Sequence, residues 1–205
     1  MLPGFGVTMN KGEVLQDLLG EIRDNLSQDR VAKAYVFARF SVQNQLKRHE
    51  YAYGVFVGRF PTWVAMKKAK QSDIKALGLN FNGAIWRDFN AVLPQIPEIL
   101  EAIRFSHDDK DLRSWVAENV PGLGYAKASF FLMLLGRLGV GCIDVHMGRI
   151  LKVNPTKLRT RAGYEKAEKK LGTMAGLTQW LTWIDHMGLE GVGHEVYFAS
   201  QGVLN

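Results

Sequence analysis

The sequence predicts an all-α fold of about ten helices, and three observations carry that prediction. Apolar residues recur every three or four positions through most of the 205-residue chain, the spacing of one helix face. Proline, glycine and capping residues break those runs at helix-length intervals. Strand signal is confined to Tyr51–Phe60, whose aromatic and β-branched residues suit a short strand although its neighbours are helical. One such stretch is too little for a sheet.

Each element follows from local pattern. In Gly12–Leu26, Val14, Leu15, Leu18, Leu19 and Ile22 share a face. Asp29–Lys47 reads as a second helix. Pro61-Thr62 opens a third, through about Lys70. Ser72-Asp73 caps a short helix ending at Gly78. Asn82–Val92 is helical up to Pro94, and Pro97–Arg104 and Asp109–Glu118 are short helices. Pro121 breaks the chain. Tyr125–Leu138 is strongly apolar and reads as central. His146–Leu151 is stopped by Asn154-Pro155, and Ala162–Leu171, Gly176–His186 and Gly193–Gln201 complete the set. No segment repeats, and the chain, 1–205, reads as a single domain.

Composition narrows the partner. At 47% hydrophobic residues the chain can build a core. Lys and Arg number 26 against 20 Asp and Glu, a net charge of +6, which favours a polyanionic partner without requiring one. The lone cysteine, Cys142, excludes an internal disulfide and any iron–sulfur cluster held by this chain's own cysteines. The longest apolar run, Phe130–Leu135, is far too short for a membrane span. The N-terminal residues lack a basic-led apolar stretch, so no signal peptide is expected. An intracellular monomer is the expectation: bacterial cytoplasm for a phage or bacterial protein, the nucleus for a eukaryotic one.

Val120-Pro121-Gly122-Leu123-Gly124 precedes a helix. Glycines there permit positive φ and leave backbone amides uncovered. With the positive end of the next helix, those amides form a cradle for one phosphate. Alone, the segment equally suits a tight turn without ligand. After the apolar helix comes Gly141-Cys142-Ile143-Asp144-Val145-His146-Met147-Gly148-Arg149.

Together the two segments resemble the helix-hairpin-helix DNA glycosylase superfamily, that of endonuclease III and the adenine and alkylated-base glycosylases. Its members carry an L/V-P-G-x-G hairpin, an amphipathic helix, and a short loop ending in a catalytic Asp, usually as V/I-D-x-H. Phe40-Ser41-Val42-Gln43-Asn44, Leu77-Gly78-Leu79-Asn80-Phe81 and Trp183–Gly188 fit the flanking segments more loosely. The resemblance covers about 30–190. It implies about ten helices in two lobes with a central cleft, the hairpin at about 112–138 and the catalytic loop at about 139–149.

The resemblance implies double-stranded DNA as partner and Asp144 as the catalytic carboxylate, stabilising positive charge on the sugar as a flipped base is cut away. Asp144 also suits an N-cap, and both roles can hold at once. Gly122, Leu123, Gly124, Tyr125 and Lys127 would hold or face DNA, with His146 and Arg149 beyond. Gln43 and Asn44 lie on what reads as a helix that supplies a side chain to the gap left by the base; a plain polar helix face is the alternative. Trp86 and Gln45 are pocket candidates, though tryptophans commonly serve the core. The family's strand-cutting lysine falls two residues after the second hairpin glycine, which here is Ala126. Lys127 is about 100° further round the helix. It stays a candidate nucleophile, but the expectation is a glycosylase without efficient lyase activity. Potassium or sodium at the hairpin carbonyls is expected as an optional ion, with no other cofactor and no metal site. His186 and His194, beside Asp185 and Glu195, have no known zinc spacing. The Lys-Ala-x-Phe element also resembles phage glycosylase-like proteins linked to hypermodified DNA bases. That keeps open a transferase acting on an activated 5-hydroxymethylpyrimidine, and a third alternative is a non-catalytic DNA-binding module.

Overall fold

The computed structural model describes residues 11–186. Among them are twelve α-helices: α1 (Lys11–Asp24), α2 (Gln28–Phe40), α3 (Leu46–Arg59), α4 (Trp63–Met66), α5 (Gln71–Ala76), α6 (Asn82–Val92), α7 (Ile96–Phe105), α8 (Asp109–Asn119), α9 (Tyr125–Leu134), α10 (Val145–Ile150), α11 (Arg161–Glu168) and α12 (Ala175–His186). Short 3-10 turns join several of them, and no strand occurs among the described residues. The helix expected at Gly193–Gln201 lies outside the described residues.

Five elements differ from the sequence expectation, each for a physical reason. The strand-like stretch is the body of α3. Ala52, Tyr53, Phe56 and Phe60 share one helical face and are buried, so tertiary packing overrides β propensity. The predicted helix through Lys47 stops at Phe40. Asn44 turns back to donate its Nδ2 to the carbonyls of Phe40 (2.9 Å) and Val42 (3.0 Å), satisfying the helix end from within the loop. α4 is a single turn, capped by Thr62, whose Oγ1 accepts from Ala65 N at 3.1 Å. In α5, Asp73 is not the cap but accepts the Lys70 amide (2.7 Å) from inside the first turn. Finally, α9 ends at Leu134 rather than Leu138. Gly136 turns the chain at φ 78°, where a Cβ would stand 2.2 Å from the Leu19 carbonyl oxygen.

Two apolar cores result. The larger gathers α1 to α9 and Trp180 around α2, whose residues Val31–Phe40 are all buried. A helix buried on every side is a core helix. The smaller joins Ile143 and Met147 to Tyr164, Ala167, Leu171 and Ala175. Ala126 on α9 touches both cores, which places the hairpin's second helix at the seam between the lobes.

Candidate active site

The hairpin is α8, the turn Val120–Gly124 and α9. Its turn rests on a buried ion pair: Arg39 Nε donates to Asp88 Oδ2 at 2.9 Å, beneath Gly122. Gly122 has φ 82°, and a Cβ there would meet Arg39 Nε at 2.4 Å and Asp88 Oδ2 at 2.7 Å. Glycine is therefore required both by conformation and by space. Tyr35 fixes the turn from below, donating its hydroxyl to the Pro121 carbonyl at 3.1 Å. The Leu123 amide donates to Val120 at 3.3 Å. The carbonyls of Gly122 and Leu123 accept no hydrogen bond among the described residues. Gly124 is the N-cap of α9 with no side-chain cap, and it is exposed. Its amide, with those of Tyr125 and Ala126, is free among the described residues. This is the anion cradle expected of an uncapped helix start.

The loop from Gly139 to Asp144 is held by four side chains from three helices, α8, α11 and α12. Asp109 accepts the Gly139 amide at 2.7 Å. Glu168 accepts the Gly141 amide at 2.8 Å, and Gln179 accepts that of Cys142. Tyr164 accepts the Ile143 amide at 2.8 Å while donating to the Gly141 carbonyl at 2.7 Å. Cys142 is buried, and burial pushes its thiol up to about 12, so it stays protonated and inert. The loop delivers Asp144 to the start of α10. Asp144 Oδ1 accepts from the amides of His146 (2.9 Å) and Met147 (3.0 Å). Both bonds use one oxygen, so Oδ2 takes no hydrogen bond among the described residues, and the residue is partly exposed. His146 and Arg149, three apart, share an exposed face of α10.

The other candidates fall in distinct places. Tyr125 is held by polar and ring contacts. Its hydroxyl accepts from Arg113 (3.1 Å) and donates to Glu165 (3.0 Å), and its ring meets Tyr164 edge-on at 5.0 Å. Arg113, fully buried, pairs with Glu168 and so joins the hairpin to the loop. Lys127, although one step round α9 from Ala126, is half-buried. Its ammonium lies 5.1 Å from the Phe130 ring centroid, and its charge bears on both Cys142 and His49, so it faces the seam rather than open solvent. Trp86 is half-buried against the larger core. Gln45 is exposed at the start of α3.

Gln43 and Asn44 sit in the α2–α3 loop, not on a helix. Asn44 is committed to structure: besides its own loop it accepts the Asn80 amide at 3.0 Å. Asn80 in turn donates its Nδ2 to the Gln43 carbonyl at 2.9 Å. This clamp holds together two exposed residues in left-handed backbone, Gln43 (φ 54°) and Phe81 (φ 56°). Two bulky side chains in that region mark a site over-determined by its surroundings. Sequence reasoning gave Phe81 no role. Its only signal was its place in a Leu-Gly-Leu-Asn-Phe turn just before a helix.

Residues 67–179 match the family model described as 8-oxoguanine DNA glycosylase. The span exceeds half the chain and contains the hairpin, the loop and Asp144. The chain belongs to the 8-oxoguanine DNA glycosylase family. Within it, the 8-oxoguanine DNA glycosylase/AP lyase of Korarchaeum cryptofilum (strain OPF8) is 42% identical over 52 residues, 25% of this chain and 25% of that protein. The crystal structure of the 8-oxoguanine DNA glycosylase of Methanocaldococcus jannaschii shares the fold, with a TM-score of 0.70 at 18% identity over 86% of this chain and 87% of that one. The 8-oxoguanine glycosylase/lyase of the same organism, in complex with a 15mer DNA containing 8-oxoguanine, gives 0.68 at 18% identity, over 86% and 90%. The all-helical glycosylase fold expected from the hairpin and the Asp144 loop is thus the fold of this family.

Proposed function

We propose that this family member flips 8-oxoguanine out of duplex DNA and hydrolyses its N-glycosidic bond, without efficient strand cleavage. One observation carries the reading. Asp144 is fixed through Oδ1 while Oδ2 stays uncommitted, at the end of a loop held by four side chains. A carboxylate so placed can stabilise the cationic sugar of the transition state and orient water. The free amides of the hairpin hold a backbone phosphate, and the exposed His146 and Arg149 extend that contact. Gln43 and Phe81, clamped side by side, enter the duplex where the base has left. Ala126 offers no nucleophile. Carbonyls of Gly122 and Leu123 are the ones that would hold a potassium or sodium ion, and the protein would act as a monomer. No described helix is long and apolar enough to cross a membrane.

The test is single-turnover excision from an 8-oxoguanine duplex. Asp144→Asn is expected to slow it about a hundred- to thousandfold while leaving duplex affinity intact; full activity in the variant would refute the assignment. Borohydride trapping on abasic DNA checks the lyase: a covalent adduct lost in Lys127→Ala would overturn hydrolysis alone. Mass spectrometry of the product separates a freed base from an enlarged base still joined to sugar, the mark of the transferase. Neither the transferase nor the non-catalytic module gains support from the family match.

A further inference from the structure

The chain's positive charge is concentrated in one place. Between Arg149 and Lys170 stand eight of the 26 Lys and Arg but only two carboxylates, Glu165 and Glu168. That segment alone accounts for the whole net charge of +6, and the rest of the chain is neutral. Neither carboxylate answers the surface cations. Glu168 is buried against Arg113, and Glu165 takes Arg161 at 2.9 Å. Lys170 is spent on the Leu151 carbonyl at 2.9 Å. Lys152, Lys157, Arg159, Lys166 and Lys169 are left, all exposed and without a side-chain bond among the described residues.

Packing joins the segments that carry them. Lys170 binds the carbonyl next to Lys152. The 3-10 turn Lys157–Arg159 lies on α11 at Gly163, where a Cβ would stand 2.0 Å from the Lys157 carbonyl oxygen. Leu158 of that turn reaches Gly148 on α10, where a Cβ would meet its Cδ1 at 2.8 Å. Along α11 and the 3-10 turn that follows it, Lys169–Leu171, the lysines 166, 169 and 170 recur at spacings of three and four, while Tyr164, Ala167 and Leu171 fill the smaller core. Like charges so placed repel and cost helix stability. A polyanion laid over them offsets that cost. The basic face also begins beside the hairpin. α11 opens with Arg161, whose guanidinium carbon lies 6.0 Å from the Tyr125 ring, and Glu165 takes the Tyr125 hydroxyl at 3.0 Å. Lys169 is eight residues on from Arg161, about 12 Å at the helical rise, or roughly three to four steps of a duplex strand.

We propose that this basic face of the smaller lobe is a second duplex contact, which grips the backbone to one side of the damaged site and carries the search along undamaged DNA. It rests on the reading that the hairpin holds a duplex, and extends it to a surface that does no chemistry. Cations that touch only phosphates release counterions, so they supply salt-dependent affinity and permit sliding. They fix register and read no sequence. Between Arg149 and Lys170 no large apolar or aromatic side chain is exposed. A face lying on a membrane sets apolar residues beside its cations, and a single-strand groove sets aromatic ones there. Bare cations suit a duplex.

The test replaces Lys157, Arg159, Lys166 and Lys169 by Gln together. A matched variant, with the exposed Lys67, Lys68, Lys70 and Lys110 replaced by Gln, removes the same charge elsewhere. All the substituted side chains are exposed, so Tm should stay that of wild type. On a long undamaged duplex the first variant should lose about ten- to hundredfold in affinity, and its plot of log affinity against log salt should flatten by about three to four. The matched variant should lose much less of either. When the duplex is shortened from each end in turn, wild type should weaken early from one end only, and the first variant from neither. Its single-turnover excision rate at saturating enzyme should equal that of wild type, while fewer pairs of lesions on one duplex are processed in a single encounter. If the first variant keeps wild-type affinity and salt dependence, the second contact is refuted and the hairpin reading stands. Equal losses in both variants would make net charge the cause and refute it as well. Loss of binding to phosphatidylserine vesicles with duplex affinity kept would assign the face to a membrane instead. If wild type binds the duplex with no salt dependence, the hairpin reading falls first and takes this contact with it.

Discussion

The hairpin turn and the Asp144 loop lie at opposite ends of α9, and they are held in opposite ways. The turn takes its shape mostly from its own residues: Gly122 adopts the positive φ and the chain presses down on the Arg39–Asp88 pair, with a single remote bond, from Tyr35 to the Pro121 carbonyl. The loop borrows its shape, each amide from Gly139 to Ile143 except that of Val140 being held by a side chain remote in sequence. A phosphate cradle needs only exposed amides in a fixed turn, which local chemistry provides. A catalytic carboxylate must be placed more finely, because small displacements of a reacting group are costly in rate. The loop is accordingly the better braced of the two.

Removing Glu168 should have the largest effect. Glu168→Ala leaves Arg113, fully buried, without its carboxylate, and frees the Gly141 amide. Breaking a buried pair on one side costs about 3–5 kcal/mol, a large share of a domain's stability. Chemical denaturation should report a loss of that size, and a loss below about 1 kcal/mol would mean the network is not a brace. Gly122→Ala comes next. Its Cβ must displace Arg39 or Asp88 and hold φ 82°, at about 1–3 kcal/mol. Because the damage lies under the phosphate cradle, duplex affinity should weaken while the single-turnover rate at saturating enzyme is kept. A variant with normal affinity and a slowed rate would reverse the division of labour drawn here.

That difference in bracing also explains what was legible in the sequence. Val120–Gly124 and Ile143–His146 could be read because their function sits in contiguous residues whose conformational demands are local. The helices with clean periodicity, such as Asn82–Val92, matched for the same reason. Tyr51–Phe60 did not, since its buried face is decided by α2, and β-branched residues tolerate a helix when packing rewards it. The α2–α3 loop was hidden in an apparent helix because Asn44 and Asn80, 36 residues apart, define it together. Glu168, Tyr164 and Gln179 look like ordinary residues of amphipathic helices, and nothing in their neighbours announces which amides they hold.

Tyr164→Phe is the smallest structural change of the three. Only one oxygen is lost, yet it both accepts from Ile143 and donates to Gly141 on either side of Cys142. The ring stays buried and keeps its edge contact with Tyr125. The cost is a buried amide and a buried carbonyl left without their partner, about 1–3 kcal/mol, which a stable fold survives. Asp144, next along the chain from Ile143, loses the bond that fixes its approach to α10. The excision rate should therefore fall about ten- to hundredfold with duplex affinity unchanged, the mirror image of Gly122→Ala. Should Tyr164→Phe instead weaken DNA binding and spare the rate, the loop would be serving the hairpin, and Asp144 would owe its position to its own cap on α10.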